Sequence, residues 1–436
     1  MANYLIETSH KVGVRDAIRF STEVHKATYD EDRRRWKLEI ADSDGRVTCV
    51  EVAALISAVG QLNQPNYPSI PGIDSFTGPS WHTARWNHDV SLAGKRVAVI
   101  GTGASAFQAV SHIADEVEQL TVFQRTPPWV MPTPTYTRKL QPGLRWLFAA
   151  IPLYQSWYRF NQFWANVEGR RRYALVDPQW REPGSVSDAN AQLRRALVAS
   201  LEEAYGDRPD LLAKMTPDYP PYAKRMVRDD GAWAAALRKD HVEIVTEKIT
   251  EIYPGGVRSV DGAEHEVDVI IYATGFTASD FLSTIEVRGR RGVTLREHWD
   301  GEATALAGAT VPGFPNLFLL YGPNTNLVVN GSMVFFSESE VEYVLACLKY
   351  MFDNGHSAME PTERALREYY ARIDAVSSRM AYGQDGVNNW YKSASGRVTQ
   401  NWPLSTMEFW AMTRAPRPAP VPILAIRCQL PQQRNG

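Results

Sequence analysis

Cysteine is scarce in this sequence, long apolar runs are missing and net charge is nearly zero. Each shortage narrows what the chain does. Three cysteines, Cys49, Cys347 and Cys428, are scattered over 436 residues. They match no metal-ligand spacing and no disulfide framework, so no metal centre is expected, and the usage fits a reducing, cytoplasmic setting. No apolar run approaches the roughly 20 residues of a membrane span. The start, Met1 to Val14, mixes Glu7, His10 and Lys11 with apolar residues and does not read as a signal peptide. A formal net charge of −2 removes the general electrostatic case for nucleic acid or an anionic membrane as partner. What remains is an ordinary soluble composition, 44% hydrophobic and 22% charged, long enough for two or three domains.

Two further absences are more pointed. The chain holds one glycine-rich dinucleotide turn and no second, and the strand that follows this turn ends without an acid. The turn is Gly101-Thr102-Gly103-Ala104-Ser105-Ala106, after the apolar run Val97 to Ile100 and before a helical pattern reaching about Glu118. A strand entering G-x-G-x-x-G/A and then a helix brings backbone N–H groups to a pyrophosphate. Gly101 permits the tight turn, Gly103 lets the phosphates approach, and Ala106 lets the helix pack on the strand. The next strand, Leu120 to Phe123, ends in Gln124-Arg125-Thr126. NAD sites usually place Asp or Glu here for the ribose 2′-hydroxyl. A guanidinium and a hydroxyl, Arg125 and Thr126, suit a 2′-phosphate instead, which makes NADP(H) the expected cofactor.

The rest of the chain reads in alternating blocks. Tyr4 to Val12 has a helical pattern. Arg19 to Ala27, Trp36 to Ala41 and Arg46 to Val52 read as strands, the last two joined through Asp42-Ser43-Asp44-Gly45. Ala54 to Val59 reads as a buried strand, and Pro65, Pro68 and Pro71 as an extended linker. Residues 138 to 216 are mostly helical, with aromatics at Trp146, Phe148, Tyr154, Trp157, Tyr158, Phe160, Phe163 and Trp164. That stripe is read as a face packed on another domain, in preference to a membrane-surface face. Val242 to Thr246, Val267 to Ala273 and Pro315 to Tyr321 read as strands, and Glu338 to Phe352 as a helix. The proline-rich tail after Ala415 is expected to wrap the surface.

Three segments point to a flavin. Asp268 to Phe276 is an apolar strand stopping at Ala273-Thr274-Gly275, and Leu55 to Gly60 has the same form. Such strands carry the chain between the nucleotide domains of many flavin and pyridine-nucleotide enzymes. Asn316 to Asn326 ends a third apolar strand in Gly322-Pro323-Asn324, where glycine and amides present polar groups to a flat ring.

With these motifs, the segment Phe76-Thr77-Gly78-Pro79-Ser80-Trp81-His82-Thr83-Ala84-Arg85-Trp86 becomes specific. The chain resembles the Baeyer–Villiger monooxygenases, a branch of the class B flavoprotein monooxygenases, and is most similar to members acting on aryl ketones such as 4-hydroxyacetophenone. Phe76, Gly78, His82 and Trp86 carry the fingerprint, and Asn87 stands where the family usually has Pro or Asp. The resemblance implies FAD beside NADPH, with one oxygen atom of O2 inserted next to a ketone carbonyl to give an ester. By residue type Lys224-Arg225 is an ordinary surface pair. The family alignment through Asp229, Gly231 and Trp233 gives Lys224 the 2′-phosphate and Arg225 the negative charge that develops during oxygen transfer. It implies that His82 helps couple flavin reduction to later steps at the inter-domain linker, and it groups Trp86 with the catalytic residues, neither acting as an acid–base group. It sets Trp390, Tyr391, Trp402 and Trp410 near the substrate cleft.

The fold class implied is α/β, a flavoprotein with two dinucleotide-binding domains. The NADP Rossmann-like domain is complete and carries a helical insertion, and the FAD domain is incomplete. The expected division is 1–87 for part of the FAD domain and the linker, 88–130 and 219–262 for the NADP domain, 131–218 for the insertion, and 263–436 for the rest of the FAD domain and the substrate side. Since no G-x-G-x-x-G precedes Gly101, a missing FAD unit is expected upstream or on a separate chain. The alternatives are an inactive NADP-binding remnant and a flavin monooxygenase oxidising N or S centres.

Overall fold

The computed structural model describes residues 2–135, 138–166, 168–329, 331–418 and 425–429. Its centre is a five-stranded parallel sheet in the order Val242–Val245, Gln119–Phe123, Arg96–Ile100, Val269–Tyr272, Ser80–His82. Arg96–Ile100 is apolar on both faces after its first residue and is buried accordingly, as a central parallel strand must be. The helix Ala104–Ile113 covers one face with Ala106, Phe107, Val110 and Ile113, spaced three and four apart. Phe107 in turn stacks on Trp233 with ring centroids 3.9 Å apart. Val269–Tyr272 and Ser80–His82 come from either side of the boundaries expected at 262 and 87, yet both pair into this sheet.

A second sheet contains Glu23–Asp30, Arg35–Ala41 and Val47–Val52 as an antiparallel meander, with Glu286–Arg288 added parallel to the first strand. The hairpin turn works through Asp42, whose Oδ1 accepts from the N–H groups of Asp44 and Arg46, with Gly45 at φ +76°. This is the turn chemistry expected of an Asp-rich loop closing on glycine.

The strand expected over Ala54 to Val59 is shorter and less buried than its composition suggests. Only Leu55–Ser57 is extended, and it pairs in parallel with Leu317–Leu319 alone. Its other edge carries no strand among the described residues, and Ile56 and Val59 are exposed. The proline-rich tail is partly regular: Arg417–Pro418 and Ala425–Gln429 join Ala358–Pro361 in a small sheet. Residues 419–424 and 430–436 of that tail lie outside the described residues.

The insertion between the halves of the central sheet is helical, with Pro142–Ala150, Tyr154–Asn166, Asp188–Tyr205 and Pro209–Met215. Asp188–Tyr205 starts at Ser187, whose side chain accepts from the N–H of Asn190, and buries Leu197, Leu201 and Tyr205 against the sheet's core. The first two helices behave otherwise. Five of their eight aromatics, Trp146, Trp157, Tyr158, Phe160 and Trp164, are exposed, so the stripe read as a packed face is largely open. Phe163 does pack, against Phe335 at 5.2 Å. A helical period fixes which residues share a face and leaves open what that face meets.

Candidate active site

The glycine turn sits at the C-terminal edge of the central sheet, where open α/β sheets bind ligands. Gly101 has φ +110°, and a Cβ there would lie 2.5 Å from the carbonyl oxygen of Ala273 on the neighbouring strand. Glycine is therefore required twice, by conformation and by close approach. Gly103 caps the following helix and has open space where a Cβ would stand. Ala106 is fully buried, while Ala104 and Ser105 open the first turn. Thr102 is buried and donates 3.4 Å to the carbonyl of Thr126, tying the glycine turn to the end of the next strand.

Arg125, Thr126 and Lys224 line one cleft of about 720 Å³, with Lys214, Thr216 and Tyr219 on its walls. Lys224 Nζ stands 4.7 Å from the centroid of the Tyr219 ring. Burial, and then the neighbouring Arg125 guanidinium, pull the Lys224 ammonium below its ordinary pKa. Two cations that repel across a cleft suit a doubly charged anion such as a 2′-phosphate.

The loop carrying Lys224-Arg225 is held from outside. Tyr222 is buried at φ +65°, a conformation a bulky residue rarely adopts. Asn190 Nδ2 donates 2.9 Å to the carbonyl of Pro221, and Asn389 Nδ2 donates 2.9 Å to that of Ala223. These two amides brace a strained turn that would relax if unsupported. Arg225 itself is exposed and lies near enough to Tyr321 and Tyr391 for its charge to act on their hydroxyls. Burial pushes the Tyr321 hydroxyl up to about 12, with Arg225 pulling the other way.

Tyr321 begins the turn after Leu317–Leu319, and Tyr321 and Asn324 are both left-handed, at φ +57° and +58°. Asn324 is fully buried, and its Nδ2 donates to the carbonyls of Val398 and Asn401. Its amide nitrogen is thus committed to the C-terminal segment, while its Oδ1 has no protein partner. Gln61 Oε1 and Glu340 Oε1 are likewise buried and unpaired beside this turn. The same two side chains hold it: Gln61 Nε2 donates to the carbonyls of Tyr321 and Gly322, and Glu340 accepts from the Tyr321 N–H at 2.9 Å. Tyr391 and Trp402 are buried nearby in the C-terminal region, and Trp390 and Trp410 are half-buried.

His82 ends the edge strand and is completely buried. Its Nδ1 accepts from the Ala84 N–H at 3.1 Å, which places the ring proton on Nε2, facing Gly275. Burial lowers its pKa, so the ring is neutral. Tyr67 and Phe276 meet it edge-on at 5.6 and 5.5 Å. The two inter-strand connections meet beside it. Asn66 N donates to the Gly275 carbonyl, Thr274 Oγ1 donates to the Asn66 carbonyl, and Pro65 bridges to Phe276.

The structure does not bring Trp86 to the Lys224 cleft. It packs on Trp81 at 5.8 Å and lines a separate recess with Ser105 and His112. Asn87, just after Trp86, closes a local side-chain turn, its Oδ1 accepting from the Asp89 N–H at 3.0 Å. The residues that sequence reasoning passed over are Lys214, Asn190, Asn389, Gln61 and Glu340. Each acts through contacts distant in sequence, and only Glu340, an acid within an apolar helix pattern, carried a local sign.

Comparison with known proteins agrees with this geometry. Residues 1–141 match the family model for flavin-binding monooxygenase-like proteins. The chain is 36% identical to a Baeyer–Villiger monooxygenase of Streptomyces coelicolor over 94% of its own length and 76% of that protein's. It is 35% identical to the uncharacterized monooxygenase y4iD of Sinorhizobium fredii over 94% of its own length, and spans 62% of that relative. Among solved structures, OTEMO in complex with FAD and NADP superposes with a TM-score of 0.78 at 28% identity, covering 94% of this chain and 82% of that one. A glycine turn on a parallel sheet, a cationic cleft beside it and these likenesses lead to one assignment: the chain belongs to the Baeyer–Villiger monooxygenase family of flavin-dependent enzymes.

Proposed function

We propose that this chain works in an NADPH- and FAD-dependent oxidation in which a ketone, O2, NADPH and a proton give an ester, NADP+ and water. One observation carries the reading: Arg125 and Lys224 share a cleft at the end of the glycine-turn sheet, and Arg225, next to Lys224 on the same loop, lies near enough to Tyr321 for its charge to act on that hydroxyl. The substrate class is an aryl or alkyl ketone. OTEMO, which has been solved with FAD and NADP together, supports this pairing of cofactors.

The residues present fit NADP(H). The first helical turn after Gly103 offers N–H groups to the pyrophosphate, and the space a Cβ would fill is open. Arg125, Thr126 and Lys224 take the 2′-phosphate. For a flavin the chain supplies one wall. The buried unpaired acceptors Gln61 Oε1, Asn324 Oδ1 and Glu340 Oε1 suit its hydroxyl and ring N–H donors. Ala273, Thr274 and Gly275 lie where the connections meet. When bound, the two cofactors supply the electrons that activate oxygen. Arg225 would offer a guanidinium to negative charge developing on the reacting oxygen atoms. His82 stays neutral and holds the two connections in register, which makes its contribution one of positioning, and Trp86 supports the same corner through Trp81.

The flavin pyrophosphate needs a glycine turn of its own. We place it on a βαβ unit outside this sequence, on a further segment or a separate chain. The unpaired edge of Leu55–Ser57 and the exposed Ile56 support this reading, because parallel strands are stable when flanked and covered. The test is the visible spectrum after incubation with FAD and removal of free flavin, followed by NADPH and an aryl ketone under 18O2. Retained flavin, bleached by NADPH, with labelled ester formed, is the expected result when the flavin unit is present. Retained flavin and NADPH consumption without labelled ester, with labelled N- or S-oxide formed when an amine or sulfide replaces the ketone, would overturn it.

A further inference from the structure

The helical hairpin Pro142–Ala150 and Tyr154–Asn166 carries the largest concentration of exposed aromatic surface on the described molecule. Leu153 immediately precedes the second helix, and Trp157, Phe160 and Trp164 follow on it at steps of three and four residues, which places those three on one helical stripe. The four are 71%, 66%, 51% and 50% exposed. Trp146, on the preceding helix, is 62% exposed. Large side chains left in water at this density mark an interaction surface.

Charge says what kind. Although the whole chain is nearly neutral, the segment from Gln119 to Val167 contains no Asp or Glu. Four cations, Arg138, Lys139, Arg145 and Arg159, lie on or just before the hairpin and are all exposed. The first carboxylate after it, Glu168, is engaged with the backbone N–H of Thr406. Tryptophans beside arginines and lysines, in a stretch of sequence without acids, match the headgroup layer of an anionic bilayer. There the indoles sit at the interface and the cations meet lipid phosphates. Tyr154–Asn166 has 13 residues, and no described helix is long and apolar enough to cross a membrane, so the helix can only lie in the interface plane.

We propose that this hairpin is a peripheral membrane-docking surface that binds anionic lipid headgroups through Arg145 and Arg159 and inserts Trp157, Phe160 and Trp164 into the interface. Local segregation of charge overrides the near-zero total, because the field that matters decays within about 10 Å at ordinary salt. The inference stands apart from the cleft chemistry, since none of these residues lines the cleft.

The test is co-sedimentation of the full chain with vesicles of phosphatidylcholine containing about one third phosphatidylglycerol, with tryptophan emission read in parallel. The expected result is binding with a blue shift, lost in vesicles of phosphatidylcholine alone. Trp157→Ser combined with Trp164→Ser should weaken partitioning about tenfold or more. Arg145→Glu with Arg159→Glu should remove the preference for anionic lipid. Val260→Ser, at an equally exposed apolar residue elsewhere, should change nothing. These side chains are exposed, so circular dichroism should report an unchanged fold in each variant. Three results would overturn the proposal: no pelleting of the parent chain with anionic vesicles, equal pelleting of the tryptophan variant, or a self-association that the tryptophan substitutions abolish while vesicle binding is nil.

Discussion

Gly101 and Ala273 touch where two parallel strands end: the hydrogen that glycine carries in place of a side chain points at the Ala273 carbonyl, and a Cβ would stand 2.5 Å from that oxygen. Gly103, two residues on, faces open space. The two glycines of one motif therefore answer to different demands, and substitution should separate them. Gly101→Ala is expected to cost about 2 kcal/mol or more of stability, through positive φ and the backbone clash together. Gly103→Ala should fold normally and lose NADPH affinity, because its methyl occupies the space left for the pyrophosphate. Thermal unfolding and NADPH titration of both variants check the pair; equal melting temperatures would refute the contrast.

Arg125 and Lys224 should set the choice of cofactor. A charge-assisted hydrogen bond contributes about 1.5–3 kcal/mol, so Arg125→Ala or Lys224→Ala should narrow the NADPH-over-NADH preference by roughly ten- to a hundredfold. NADH affinity should barely move. Dissociation constants for both nucleotides decide the matter, and an unchanged ratio would remove these residues from the phosphate site.

Arg225→Ala should abolish ester formation while NADPH oxidation stays measurable. Loss of a fixed cation aimed at developing charge costs about a hundred- to a thousandfold in rate. The comparison is ester yield against NADPH consumed, in the flavin-loaded protein. Unchanged yield would show that Arg225 does not face the reacting atoms.

Part of the candidate cleft's lining was legible in the sequence. The glycine turn and Arg125 are local patterns, since strand, turn and helix follow one another and their residue types are set by contacts a few positions away. Lys224-Arg225 had no such signal; two adjacent cations look alike on any surface, and only resemblance to a family singled them out. The braces from Asn190 and Asn389 were invisible because asparagine is common in loops and their partners, Pro221 and Ala223, lie 31 and 166 positions away. The sheet membership of Ser80–His82 was hidden by its three-residue length. The openness of the aromatic hairpin was not legible, because helical spacing looks the same whether the stripe meets protein, lipid or water.

Glu340 offers a prediction in pH. It is buried beneath the Tyr321 turn, and burial raises its pKa from 4.5 to about 7. The folded state thus holds the proton more tightly than the unfolded state does. The associated stability is fully present below about pH 4.5 and is lost as pH rises through about 7. The full span is worth up to about 3 kcal/mol. Glu340→Gln should remove this slope, melting higher than the parent at pH 8 and close to it at pH 4.5. A constant difference across that range would show that the carboxyl does not titrate there.

The joined connections beside His82 bear on how the molecule can move. Asn66 and Gly275 lie on two connections that leave the central sheet at the same corner, and they are hydrogen-bonded to each other. Two independent tethers would let the attached bodies slide, twist and swing. Two tethers laced into one ribbon resist sliding and twisting, and leave bending across the ribbon as the soft motion. A buried imidazole wedged at that edge by Tyr67 and Phe276 then fixes where the ribbon bends.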